Sequence, residues 1–197
     1  MNADLLLSLT LFAFVASATP GPNTLMLLAS GANFGVLRSV PHMAGITLGF
    51  TVMIALVGIG LMGVFERLPA ADSALKVLAV LYMLWLAWKI AGAAAPGEAT
   101  STSHPLTFLQ AAGFQWVNPK AWAMGTSAIA LYAPDRSLAG VLVVAGAFFL
   151  VSFPAVTGWT VLGHEIRRFL GTPARLRAFN WTMAALLLAS LVPLLRL

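Results

Sequence analysis

The chain has 197 residues, 60% of them hydrophobic and 9% charged, with a mean hydropathy of +0.92. A soluble domain is about 25% charged, so this composition excludes one and indicates an all-α integral membrane protein. The net charge of +5 lies mostly in short loops, where basic residues set orientation and meet the headgroups of the lipid bilayer, so no nucleic-acid partner is expected.

A membrane-crossing helix needs about 20 mainly apolar residues, and six such stretches follow one another along the chain. The first covers residues 5–28 and is interrupted by Thr19-Pro20-Gly21-Pro22-Asn23. Its start, Met-Asn-Ala-Asp, lacks the basic residues of a signal peptide, so it reads as a retained helix. The second covers 41–65, between Arg38 and Glu66-Arg67, and the third 71–91, ending in Trp85-Leu86-Ala87-Trp88-Lys89. The fourth covers 106–133 and is interrupted at Asn118-Pro119-Lys120. The fifth, 138–163, contains Pro154, and the sixth covers 178–195. Residues 94–104, rich in Ala, Gly, Pro, Ser and Thr, read as a flexible linker between halves of about 1–93 and 105–197.

Each half opens with a proline-broken helix, so helices 1 and 4 correspond. Three helices per half force the second half to insert upside down, which makes 1–197 a single domain of two inverted three-helix repeats. Paired breaks in such repeats point to a transporter's binding site near the bilayer midplane. With the N-terminus outside, Arg38, Lys89, Arg167, Arg168, Arg175 and Arg177 face the cytoplasm, against Arg67, Lys76, Arg136 and Arg196 outside. The positive-inside rule therefore places both termini outside.

The breaks also hold most of the chemistry. Proline removes a backbone donor and glycine a side chain, and unpaired backbone in hydrocarbon costs several kcal/mol per group unless it is buried or lines a cavity. Pro20, Gly21, Pro22 and Asn23 in the first break, and Gln115, Asn118, Pro119 and Lys120 in the second, are the candidate substrate-binding residues. Lys120 is the only charge deep in a span. It reads either as a ligand for a substrate carboxylate or a proton carrier, or as a structural lysine that bonds carbonyls freed by Pro119. Asn23, Gln115 and Asn118 can bond an amino acid through donors and acceptors, or satisfy freed backbone. No span contains a deep carboxylate, which argues against a cationic substrate. Gly45 and Gly49 form a Gly-x-x-x-Gly, read as close helix packing. His42, next to Pro41, reads as a solvated or capping residue at the headgroups. With no cysteine and three isolated histidines, no metal site is expected, and no phosphate-binding loop suggests a cofactor.

On Thr19-Pro20-Gly21-Pro22-Asn23, Gly45-Ile46-Thr47-Leu48-Gly49 and Asn118-Pro119-Lys120-Ala121, the chain resembles the LysE/RhtB family of amino-acid exporters. The resemblance covers the whole chain in length, helix count and motif order. The stretches Leu84-Trp85-Leu86-Ala87-Trp88-Lys89-Ile90-Ala91 and Phe114-Gln115-Trp116-Val117-Asn118 are similar to the branch that includes the cysteine/O-acetylserine exporter. The resemblance implies efflux of amino acids across the bacterial inner membrane, driven by proton exchange. Exporters of basic amino acids in the family look as if they use aspartates on helices two and four; here neither helix has an internal aspartate. The expectation is a multi-pass secondary transporter, not an enzyme, that exports a small neutral amino acid or derivative by proton antiport. Its partners are that substrate, the bilayer and protons, and its small-residue helix faces permit a homodimer. The alternatives are a structural or assembly subunit of a larger membrane complex and, more remotely, an intramembrane enzyme.

Overall fold

The computed structural model describes residues 2–61, 69–93 and 104–192, those of 69–72 by backbone alone. The expected linker at 94–104 falls, apart from His104, outside the described residues, as do Glu66, Arg67 and Arg196.

The described residues form eight α-helices with a few short turns. Helix α1 (Ala3–Ala18) is capped by the Asn2 side chain, which accepts from the Leu5 N–H at 3.0 Å. It stops at Thr19, and α2 (Pro22–Phe34) starts with proline at its first position, where the missing N–H has no intrahelical partner to lose. The chain then turns through a single residue, Gly35, whose φ of +80° suits glycine, into α3 (Val36–Leu56) and a π-helical turn (Val57–Leu61). Helix α4 is Pro69–Ala91. Helix α5 (Phe108–Val117) opens with a capping box between Thr107 and Gln110. Helix α6 (Pro119–Tyr132) follows after Asn118 alone. Helix α7 (Leu138–Ile166) and α8 (Pro173–Ala189) are capped by Ser137 and Thr172, with a 3₁₀ turn at Arg167–Phe169 after α7.

Among the described residues, Val36–Leu61, Ser73–Ala91 and Leu138–Phe169 are each long and apolar enough to cross a membrane. Helices α1 and α2 meet the same criteria together, bent by 58° at their break. The protein is therefore a multi-pass membrane protein. The large apolar side chains it exposes, such as Leu11, Phe14, Leu150 and Phe153, suit lipid.

Two segments differ from the sequence reading. The second span starts at Val36, five residues before Pro41, because the one-residue hinge at Gly35 leaves no loop between α2 and α3. The Ser30 and Ser39 hydroxyls lie 3.0 Å apart across this hinge. The last helix starts at Pro173, not 178, because Thr172 and Pro173 provide both a cap and a first-position proline.

Helices α3 and α7 form the centre and pack on each other. Both α1 and α2 lie along α7, α5 lies along α3, and α4 pairs with α8. Glycines set the closest approaches. A Cβ on Gly31 of α2 would collide with the Thr160 carbonyl of α7, and one on Gly163 with the Leu28 carbonyl of α2. Gly45 and Gly49 do the same for α3 on α5: a Cβ would collide with the Phe108 carbonyl or lie 2.6 Å from Ala112 Cα. Small residues at such crossings let backbones approach.

The core falls into two main clusters. One joins Leu9 and Ala13 of α1, Phe50 and Ile54 of α3, Ala128 of α6 and Phe148 of α7. The other joins Leu27 of α2, Ile46 of α3, Leu86 of α4, Phe114 of α5, Val156 of α7 and Leu187 of α8. The chain passes from the first cluster to the second between α1 and α2, and from the second to the first between α5 and α6. Both breaks thus lie on one seam, crossed in opposite directions.

Candidate functional site

At the first break the chain leaves α1 after Ala18. In an unbroken helix the Thr19 and Pro20 carbonyls would accept from the amides of Asn23 and Thr24; the break removes these partners. Lys120 of α6 replaces them. Its ammonium donates to the Thr19 carbonyl at 2.5 Å and, more weakly, to the Pro20 carbonyl at 3.5 Å. A cation at the C-terminal end of α1 also meets the negative end of that helix dipole. Gly21 gives the lysine its room: a Cβ there would lie 2.8 Å from Lys120 Cδ. Gly21 itself is extended, with φ 179°, so its smallness matters here through contact and not through backbone freedom. The Thr24 hydroxyl ties the break to α2, accepting from the Gly21 N–H at 2.7 Å and donating to the Gly21 carbonyl at 2.8 Å.

The second break is shorter. Asn118 caps α6, its side-chain oxygen accepting from the Lys120 N–H at 3.1 Å. Pro119 occupies the first helical position. Trp122 Nε1 donates to the Trp116 carbonyl at 2.8 Å, bridging the break from the other side.

Asn23 and Gln115 join the two breaks. Asn23 Nδ2 donates to Gln115 Oε1 at 2.8 Å, and Gln115 Nε2 donates to Asn23 Oδ1 at 3.2 Å and to the Ala111 carbonyl at 2.9 Å. Gln115 is 0% and Asn118 1% exposed, so satisfied hydrogen bonds are what make their burial tolerable.

Gly21, Asn23, Asn118 and Lys120 line one cavity of about 40 Å³, with Ser17 and Ser152 also in its wall. One water occupies at least about 10–15 Å³ on this measure, so two or three fill it. The structure thus shows the seam closed, with its polar groups paired to one another. Pro20, Pro22 and Pro119 shape the breaks and Gln115 braces them, but these four do not line the cavity. Gly45 and Gly49 lie away from it, against α5. Ser152, whose hydroxyl lies 3.3 Å from that of Ser17, escaped the sequence reading. Its only signal was a hydroxyl two residues before Pro154 in an apolar helix.

His42 is corrected by the structure. It is 1% exposed, and among the described residues neither ring nitrogen has a hydrogen-bond partner. It is neither a solvated nor a capping residue, because α3 begins at Val36 and carries position 42 into its second turn.

A polytopic membrane protein whose polar centre is made by two interrupted helices has the design of a membrane translocator. The pattern of the LysE type translocator family matches residues 14–196, and the chain belongs to that family. Among curated proteins it is similar to a "Cysteine/O-acetylserine efflux protein" of Klebsiella pneumoniae, 27% identical over 95% of each chain. Proteins of the same name in Escherichia coli O157:H7 and Salmonella typhimurium are 30% and 31% identical. The first of these matches over 95% of this chain and 96% of the relative, the second over 85% and 87%. No solved structure matches the chain significantly.

Proposed function

We propose that the protein exports a small neutral amino acid or amino-acid derivative from the bacterial cytoplasm across the inner membrane, by proton antiport. The chemistry named for its relatives makes cysteine and O-acetylserine the first substrates to test. The observation that carries this reading is the ammonium of Lys120, from one break, seated on the Thr19 and Pro20 carbonyls of the other.

That ammonium sits where a substrate's own ammonium would bind. In our reading the arriving zwitterion exchanges with it. The substrate ammonium takes the carbonyls of the first break. Lys120 swings to the substrate carboxylate, which also meets the positive N-terminal ends of α2 and α6. A neutral amino acid completes this exchange, while a cationic one would bring a second ammonium with no carboxylate to receive it. Among the described residues Lys120 is the one ionisable group lining this cavity, and we assign the proton to it. Lys120 releases it to the cytoplasm as the substrate loads, and its neutral amine then donates to the carboxylate. It is reprotonated from outside once the substrate has left, so one proton enters for each substrate exported. Two or three waters' worth of space cannot hold the substrate, so the seam must open to load.

The architecture we propose is six spans in two inverted three-helix repeats, with both termini outside. The second broken pair (α5 with α6) and α8 supply the spans beyond those evident by length. The packing supports the symmetry. The first broken helix lies on α7, the second helix of the other half, and α5 lies on α3, its counterpart. Two further extensive pairs, α3 with α7 and α4 with α8, join equivalent helices. Rocking one repeat against the other across the seam would alternate its access.

Counterflow in proteoliposomes tests the proposal, with labelled cysteine, O-acetyl-L-serine, serine, alanine and lysine, with and without a pH gradient. Accumulation of one or more neutral members and not of lysine is the expected result. No accumulation of any amino acid under either condition rejects export. The second reading, Lys120 as a structural clamp in a non-transporting subunit, has the same hydrogen bonds in its favour and is separated by the lysine substitution discussed below.

A further inference from the structure

A second cavity, of about 310 Å³, lies between α2, α3, α4 and the segment His104–Leu106 before α5, at the end of the molecule opposite the N-terminus. Its wall includes Ser30 and Asn33 of α2, His42 of α3, and Lys89 and Ala93 at the end of α4. This volume is at the lower end of the range of small-molecule pockets, about 300–1,000 Å³, and it suits an amino acid where the seam cavity does not. Two observations mark it as more than a packing gap. Lys89 has no carboxylate within ion-pair distance among the described residues and rests its ammonium 5.4 Å from the Trp85 ring centroid. His42, on the wall, has two buried ring nitrogens and no hydrogen bond among the described residues. An orphaned buried polar group is costly and needs a partner; an ammonium beside it selects a ligand with negative charge.

We infer that this cavity is an antechamber that binds the carboxylate of the zwitterionic amino acid before it reaches the seam, through Lys89 and His42. The inference rests on the export reading. The antechamber faces the cytoplasm when the termini are outside, which is the loading side for an exporter. It is also next to the seam. Met26 lines the antechamber, while its chain neighbour Leu27 and Ile46 line the seam cavity. All three belong to one apolar cluster, so a layer of apolar side chains borders both cavities. Along α2, seven residues separate Asn23 from Ser30, about 10 Å at 1.5 Å per residue. The polar groups of the antechamber give the carboxylate a partner before that apolar layer must part.

The chain has no cysteine, so Ala93→Cys places a single thiol on the antechamber wall. Its rate of maleimide labelling reads occupancy whether or not transport follows. O-acetyl-L-serine, at about ten times its Kd, is expected to slow labelling about tenfold, and its methyl ester to leave the rate unchanged. Protection should disappear in Lys89→Gln/His42→Leu and persist in Lys89→Arg, which keeps the charge and shows that substitution at position 89 is tolerated. Equal labelling with and without O-acetyl-L-serine, or undiminished protection in the double variant, overturns the antechamber. So does protection that disappears in Lys120→Met, since the thiol would then be reporting the seam. Counterflow without protection removes the antechamber alone. Protection without counterflow of any amino acid removes the export reading and leaves a carboxylate site.

Discussion

The two breaks share a seam but not a construction. At Thr19–Pro22 two prolines flank a glycine, the span bends by 58°, and the groups offered to the seam are backbone carbonyls. At Asn118–Pro119 one proline suffices, the helix resumes after a single residue, and the groups offered are side chains: Asn118, Lys120 and, one turn earlier, Gln115. The first break is a socket and the second a plug. A socket of carbonyls has no net charge and accepts any ammonium. The plug carries the charge and can be moved by side-chain rotation alone, without remaking a helix. In the proposed exchange this division lets one site bind either its own lysine or a substrate, and it accounts for a charge at only one of the two breaks.

Removing the plug gives the largest expected effect. Lys120→Met keeps the length of the side chain and loses the ammonium. A charge-assisted hydrogen bond contributes about 1.5–3 kcal/mol, so losing the lysine as partner of the substrate carboxylate corresponds to a fall in transport of about 10- to 100-fold. The protein should remain monodisperse and helical by size exclusion and circular dichroism. Loss of folding, with no folded fraction left to assay, would support the structural clamp.

Narrowing the socket comes next. Gly21→Ala leaves the extended backbone unstrained but puts a methyl against Lys120 Cδ. Displacing the lysine by about 1.4 kcal/mol corresponds to about tenfold slower transport, with little change in melting temperature because the far end of a lysine moves easily. A variant that melts much earlier and transports normally would show that Gly21 serves packing and not the lysine.

The bridge between socket and plug can be tested by a double-mutant cycle. Gln115→Leu takes the partner from both Nδ2 and Oδ1 of the Asn23 amide, at a cost of about 1–3 kcal/mol in thermal unfolding. Asn23→Leu/Gln115→Leu removes the whole pair and should cost less than the sum of the single changes. Additive costs would mean that the two breaks are not coupled through this pair.

How much of this was legible beforehand depends on whether the feature is local or made by packing. The membrane class, both breaks and the residues at them follow from apolar length and from proline, which act within a few residues. The helix start at Val36 was missed because Pro41 is the more conspicuous signal, while the hinge depends on a single positive φ at Gly35. The reading of His42 as a headgroup residue follows from the same misplaced start. Ser17 and Ser152 are 135 positions apart, and only the packing of α1 on α7 brings them together. The partner of Lys120 belongs to the same class. A local reading offers the carbonyls freed by its own Pro119, whereas the fold supplies those freed by the opposite break.

The smallest effect separates the two caps, and it bears most directly on socket and plug. Thr24 secures the socket through the Gly21 amide and carbonyl, and Asn118 secures the plug through the Lys120 amide. Loss of a helix cap costs about 1 kcal/mol, so Thr24→Val and Asn118→Ala should lower stability by similar amounts. Their effects on transport should differ. Asn118 holds the backbone from which the lysine swings, so Asn118→Ala changes where the ammonium can reach, while Thr24→Val leaves the Thr19 and Pro20 carbonyls in place. Asn118→Ala is expected to slow transport more than Thr24→Val at matched stability, and Asn118→Ser, which restores a capping oxygen, to recover most of both losses. Equal slowing by Thr24→Val and Asn118→Ala would mean that the socket is as mobile as the plug, and the exchange would then involve rebuilding the first break and not only rotation of Lys120.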